Sequence, residues 1–326
     1  MEMDVLSDIV EMIRTGPGHS LRLDIRSPWA FRAPESLGAV FHTVLRGSCW
    51  LILPDGRPPL ALGPGDLVLF PRFVSHVIAD DPQTPPAEVP DLQDKPQEKM
   101  ETLGGNGTRS LLISGGYQLD YGHPHPLLTA LPDFLHVSTA LGSHHSLRAM
   151  VSVLGDELDG GRPGGSTVVS ALVDALFPLI VRAWVESHRD CAIGDWTEAL
   201  TDPDIAGALE RIHSEFGRAW TVAALAREVG LSRAAFARRF AHAVGMPPLA
   251  YLTRWRMTIA GRLLRETDLK LTDVAGRVGY SSEFAFSKAF KLYYGVAPRA
   301  YRVSLGLPRF RGGLVKPLSR EPLRAP

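Results

Sequence analysis

Three arginines, Arg233, Arg238 and Arg239, fall in the run SRAAFARRFAHAV among small alanines and two phenylalanines, Phe236 and Phe240. A guanidinium presents paired donors that match the O6 and N7 edge of guanine, and a short side chain such as Ala234 or Ala237 can touch a thymine methyl or clear space for its neighbour. Fifty residues on, SSEFAFSKAFKLYY sets Ser282, Glu283, Ala285, Lys288 and Lys291 around a second such pair, Phe286 and Phe290. Ammonium groups more often hold phosphates than read bases, and Glu283 either accepts from a cytosine amine or repels phosphate. Histidines form a separate group. His42 and His76 lie on neighbouring predicted strands, with Trp50 between them in sequence and with His123 and His125 further on in YGHPHP. Imidazole nitrogens make His42 and His76 candidate metal ligands, and with Trp50 they are candidate lining for an effector pocket. Hydrogen-bonded core histidines are the commoner outcome for such a pair, and no cofactor is required. No nucleophile–base constellation occurs, and the glycines of GPG and LGGNG lack the following helix and lysine of a phosphate loop.

The elements that would position these side chains are helical. In TVAALAREVGLSRAAFARRFAHAVG, Val222, Leu225, Ala226 and Val229 share one helix face, Gly230 breaks it, and Ser232 caps a second helix that buries Phe236 and Phe240. KLTDVAGRVGYSSEFAFSKAFKLYYG repeats the pattern with Leu271, Val274, Ala275 and Val278, then Gly279, then Ser281 or Ser282 as cap. Ala226 precedes Gly230 by four residues, as Ala275 precedes Gly279. Helix, glycine turn, helix is the unit that offers its second helix to a major groove. Between the copies, residues 248–266 read as one helix with Leu252, Trp255, Ile259 and Leu263 as its stripe. Its length of about 29 Å compares with about 34 Å between major-groove faces on one side of a duplex.

Upstream, LRLDI, AVFHTVL, SCWLIL, DLVLF and SHVIA are short strands separated by turn residues between positions 21 and 113, which predicts a sandwich or barrel. The proline-rich and acidic stretch 80–107 is expected to be a loop. From 126 to 188 the period becomes helical, with stripes at Leu147, Met150, Val151 and Leu154 and at Val169, Leu172, Val173, Leu176 and Ile180. The second of these helices is apolar over more than one face, which suits either a subunit contact or burial between domains. Its Asp174, Pro178 and Arg182 argue against a membrane span. A polar linker is expected at 188–195.

Composition supports a soluble globular protein of two domains: 45% hydrophobic and 21% charged residues over 326 positions, with no net charge. That neutrality is uneven. Residues 200–304 carry 16 Lys and Arg against 9 Asp and Glu, and the remainder an equal excess of acid. A basic block of this kind suits nucleic acid. Two cysteines, Cys49 and Cys191, make neither a disulfide framework nor a zinc module, and residues 1–15 lack the pattern of a signal peptide. A reducing cytoplasm is the expected location.

The run DVAGRVGYSSEFAFSKAFKLYYGVAPRAYR, within residues 203–302, resembles the DNA-binding domain of the AraC/XylS family of bacterial regulators. FHTVLRGSCWLIL followed by GPGDLVLFPRFVSHVI resembles the cupin-type sensor domain that many of them carry. Gly65, Pro71 and His76 match the second cupin motif, whereas the first motif lacks its His-x-His and Glu, and Ser114 stands where family members often have Cys. The resemblance implies an α+β chain: a cupin-like β-barrel sensor at 1–122, a helical connector with dimerisation potential at 123–195, two helix-turn-helix units at 200–304 and a tail at 305–326. It implies a sequence-specific regulator that binds double-stranded DNA as a homodimer. A small effector would control it, and RNA polymerase would be a partner if it activates; no membrane and no enzymatic activity are implied. A metal-dependent cupin enzyme fused to DNA-binding helices and a ligand-free dimerising regulator are the alternatives.

Overall fold

The computed structural model describes residues 4–16, 18–33, 38–72, 74–88, 104–120, 123–138, 144–160, 162–187 and 196–306. The expected linker at 188–195, most of the acidic stretch and nearly all of the tail lie outside them. Contacts divide the chain into two compact units, residues 1–252 and 253–326.

The first unit opens with α1 (Val5–Ile13), capped by Asp4, whose carboxylate accepts the Leu6 N–H at 3.1 Å. Among the described residues ten strands follow: β1 (His19–Arg26), β2 (Ala30–Arg32), β3 (Gly38–Arg46), β4 (Cys49–Ile52), β5 (Leu60–Leu62), β6 (Asp66–Phe70), β7 (Val77–Ala79), β8 (Ala87–Glu88), β9 (Arg109–Gln118) and β10 (Leu135–Ser138), with α2 (Pro126–Ala130) before the last. They form two five-stranded sheets, ordered β1-β9-β3-β6-β10 and β5-β4-β7-β2-β8. Neighbours run antiparallel except β2 and β8. Leu23, Ile25, Phe31, Val44, Leu51, Val68, Phe70, Ile78 and Leu112, drawn from both sheets, make one core.

Two stretches depart from the sequence expectation. Residues 135–138, read as helical, are the edge strand β10, with Leu135 opposite Leu69 and Val137 opposite Leu67. Four residues, LHVS, carry too little periodicity to identify a strand whose partner lies about 70 residues upstream. Ala87 and Glu88, inside the expected loop, pair with Phe31 and Arg32 for the same kind of non-local reason.

Helices α3 (His145–Gly160) and α4 (Gly165–Ser187) pack on each other and on the first sheet. The Tyr117 hydroxyl donates to the Val173 carbonyl at 2.8 Å, and Asp174 pairs with Arg14 at 2.5 Å. Among the described residues α4 alone is long and apolar enough to cross a membrane, and half of it is buried. Its apolar surface therefore has a packing role within this unit.

The remaining elements of the first unit are α5 (Trp196–Thr201), α6 (Pro203–Ser214), α7 (Val222–Glu228), α8 (Arg233–Val244) and the start of α9 (Pro248–Glu266). Thr221 and Ser232 cap α7 and α8 through the Ala224 and Ala235 N–H groups. The second unit holds the rest of α9, α10 (Leu271–Arg277), α11 (Glu283–Tyr294) and α12 (Pro298–Gly306). Here Ser282, not Ser281, caps α11, accepting the Ala285 N–H at 3.2 Å.

The turn is the same in both units. Gly230 and Gly279 adopt φ of +69° and +78°, and the next residue donates its N–H to an alanine carbonyl, Leu231 to Ala226 and Tyr280 to Ala275, each at 2.9 Å. The alanine-to-glycine spacing seen in the sequence is this hydrogen-bonded turn. Phe236, Phe240, Phe286 and Phe290 are all fully buried, as the stripe requires. On α9 Leu252, Trp255 and Ile259 are buried as expected, and at the end of the stripe Leu264 is buried where Leu263 was expected.

Phe290 sits against Tyr294 at 4.5 Å and Tyr301 at 5.3 Å between ring centroids, so α9, α11 and α12 close around it, with Tyr294 donating to the Met257 carbonyl. Phe290→Ala is expected to destabilise this unit by roughly 3 to 5 kcal/mol. Urea unfolding indistinguishable from wild type would show that the residue does not carry the core.

Candidate nucleic-acid interface

On α8 the buried stripe Phe236–Phe240 leaves Arg233, Ala234 and Arg238 exposed and Ala237 half-buried. Arg239, expected to face the groove in part, instead reaches the start of α6. It donates to Asp202 at 2.5 Å and to Asp204 at 2.8 Å, and the carboxylate of Asp202 is held below its usual pKa by this pairing against the opposing effect of burial. The same Asp202 caps α6 by accepting from the Asp204 and Ile205 N–H groups. Arg239 thus ties α8 to α6 and leaves Arg233 and Arg238 as the outward cations.

On α11, Ser282, Ala285, Lys288 and Lys291 are exposed and Glu283 is half-buried, 3.9 Å from Arg299. One residue escaped the sequence reading. Phe284 is 80% exposed, whereas Phe286 and Phe290 are buried. Counting fifty residues back places it over Ala234, already identified as outward, so the repeat register was the signal that could have found it.

The histidines of the strands form a closed hydrogen-bond chain rather than an open ligand set. His42 lies opposite Ser114 in the β3–β9 register. His76 Nδ1 sits 2.6 Å from the Val74 carbonyl, which can only accept, so this nitrogen carries the proton and His76 Nε2 offers a lone pair. His42 Nε2–H donates to it at 2.8 Å, and His42 Nδ1 accepts from the Ser114 hydroxyl at 2.7 Å. Both rings are neutral in this arrangement. Burial, then the neighbouring His76, holds His42 well below the usual histidine range, and burial lowers His76 to about 4 against the opposing pull of the Val74 carbonyl. Among the described residues no group of three His, Cys, Asp or Glu side chains is arranged to hold a metal ion. Trp50 does not join this cluster. Cys49 and Leu51 on either side of it enter the core, so strand alternation turns Trp50 to the other face of its sheet. Burial raises the Cys49 thiol to about 12, which leaves it unreactive.

A second buried chain joins elements far apart in sequence, and it takes His125 away from the strand histidines. His125 Nδ1 accepts the Leu127 N–H at 3.2 Å, so its Nε2–H donates to the Tyr251 hydroxyl at 3.1 Å. Tyr251 in turn donates to His213 Nε2 at 2.8 Å, and His213 Nδ1–H donates to Asp8 at 3.1 Å. Burial holds His213 below its usual pKa although Asp8 acts to raise it. Tyr251 also meets Phe240 of α8 edge-on, with ring centroids 6.0 Å apart, and Trp196 lies 5.0 Å from His125. Asp8, His213 and Tyr251 could not be found from the sequence, because 205 and 38 residues separate the hydrogen-bonded partners of His213.

Comparison with known proteins decides the family. The Cupin family matches residues 4–186 and a helix-turn-helix domain matches residues 225–304. A putative AraC-like transcription regulator of Streptomyces lividans is 32% identical over 94% of this chain and 100% of its own length. The chain belongs to the AraC-type transcription regulators. The HTH-type transcriptional regulator AlkR of Acinetobacter baylyi is also 32% identical, over 92% of this chain and 99% of its own. A solved DNA-binding domain of AdpA, in complex with a target DNA, is 32% identical over 34% of this chain and 98% of that one, with a TM-score of 0.31.

In this AraC-type regulator the buried histidines of the strands and of α6 are expected to make the fold sensitive to acid. His42, His76 and His213 all have folded pKa values below the unfolded value of about 6.5. The unfolded chain therefore binds more protons than the folded one as pH falls below that value, and stability declines; above it these groups contribute nothing. Going from pH 7 to pH 5 is expected to cost about 2 kcal/mol through His76 alone. Urea midpoints at the two pH values, compared with His76→Gln, check this. Equal pH dependence in wild type and variant would show that His76 is not held neutral.

Proposed function

We propose that this regulator divides DNA recognition between its two helix-turn-helix units, α8 reading bases through Arg238 and α11 holding phosphates through Lys288 and Lys291. Arg233, Ala234, Ala237, Ser282, Glu283 and Ala285 complete the two surfaces. The observation that carries this reading is the exposure of Arg238 on the α8 face opposite Phe236 and Phe240, while its neighbour Arg239 is occupied by Asp202 and Asp204. A guanidinium so presented can bond two edges of guanine, which contributes about 1 to 3 kcal/mol of discrimination.

In this reading a small effector binds the cupin-like barrel and shifts the population of DNA-competent states. The Asp8–His213–Tyr251–His125 chain supports it: α1 and α2 are hydrogen-bonded through it to α6 and α9, and Tyr251 abuts Phe240 on the buried side of α8. The protein works in the cytoplasm as a homodimer, through the barrel and the connector helices α3 and α4, contacts RNA polymerase where it activates, and needs no cofactor, since the Nε2 atoms of His42 and His76 satisfy one another.

Arg238→Ala is expected to weaken the preferred site and relax preference at one base pair, with little change on unrelated duplex. Lys288→Ala and Lys291→Ala are expected to lose affinity on every sequence and to reduce the slope of log affinity against log salt by about one unit each. Titrations of each variant against the preferred site and its single-base variants, across a salt series, make the comparison. Uniform weakening by Arg238→Ala, with base preference intact, would place the specificity determinant elsewhere. Sedimentation of the full chain at micromolar concentration is expected to give a dimer, and elemental analysis no stoichiometric metal. A monomer, or one metal ion per chain, would remove the corresponding part of this reading.

A further inference from the structure

We propose that Phe284 reads a thymine through its C5-methyl group, so that α11 recognises bases as well as holding phosphates. The inference rests on the docking of α11 in the major groove proposed above. Phe284 is the second residue of α11, directly after the capping Ser282 and Glu283, and is 80% exposed. The N-terminal residues of a recognition helix contact base edges. The helix is anchored by Phe286 and Phe290, both fully buried, so the ring of Phe284 faces away from the core into which this helix packs.

Charge and spacing favour DNA over a protein surface as its occupant. Lys288 follows Phe284 by one turn on the same face, and Lys291 follows three residues later, so the ring stands beside two exposed cations suited to phosphates. Leu292, 88% exposed, is the other large apolar side chain on this stripe, but it lies about 12 Å further along the axis with Lys288 between, which does not make a continuous apolar patch. In the major groove the apolar group that base edges offer is the thymine methyl, which phenylalanine is suited to contact. In α8 the equivalent position is Ala234, too short to fill the same space. The two units therefore differ in chemistry at a matched position: the first combines a small residue with an exposed arginine, the second an aromatic ring with lysines.

The test uses the full-length protein and a duplex recovered by selection from a randomised library, with each thymine replaced in turn by uracil, which lacks only the methyl group. Wild type is expected to lose about fourfold in affinity at one thymine, the value of one buried methyl. Phe284→Ala is expected to bind the thymine and uracil forms of that position equally, while Phe284→Leu keeps the preference. Thermal melts of both variants are expected to match wild type, because the side chain is exposed. Sensitivity at no thymine in wild type, or the same sensitivity in Phe284→Ala, would overturn the proposal. So would a Phe284→Ala protein that keeps every DNA preference and fails only in transcription with purified RNA polymerase, which would assign the ring to a protein contact. If Lys288→Ala and Lys291→Ala also left affinity and salt slope unchanged, the groove-docking reading itself would fail, an outcome distinct from loss of the methyl contact alone.

Discussion

A left-handed glycine between two short helices is the constraint on which the proposed DNA-reading surfaces depend. At φ of +69° and +78°, Gly230 and Gly279 occupy a region that a side chain makes costly, and each lets the next N–H reach back to the carbonyl of Ala226 or Ala275. That bond stops the first helix and sends the chain into the second with a serine at its cap. The phenylalanine pairs then bury on one side only. Arg238, Phe284 and Lys288 are outward because the turn and the pair leave them no other direction.

The polar interior of the first unit obeys a different constraint. Burying imidazole and hydroxyl groups is costly unless each donor meets an acceptor. Both histidine chains meet that condition through one assignment of protons, dictated at one end by an atom with a single role: the Val74 carbonyl for His76, the Leu127 N–H for His125. Adding a proton to either chain turns an accepting nitrogen into a donor and breaks the order. The depressed pKa values of His42, His76 and His213 express that cost together with burial.

Charge separates the roles further. The basic excess of residues 200–304 is unequally available, since Arg239 is neutralised by Asp202 and Asp204 whereas Arg233, Arg238, Lys288 and Lys291 are exposed. Counting charge along the chain overstates the cations offered to DNA, and only the folded arrangement sorts structural pairs from outward ones.

What the sequence determined by itself is whatever repeats locally. The two helix-turn-helix units, their caps, their buried phenylalanines and the outward face with Arg238 and Lys288 follow from periodicity within about 25 residues, because helix and turn are made of contacts between near neighbours. The strands and the pairing of His42 with His76 were legible in part, from alternation and a motif. Tertiary structure alone decided that Arg239 turns to α6, that 135–138 joins a sheet, and that Asp8, His125, His213 and Tyr251 share one hydrogen-bonded chain. Each of these depends on a partner tens to hundreds of residues away, and no local pattern encodes which distant polar group will be brought within hydrogen-bond distance.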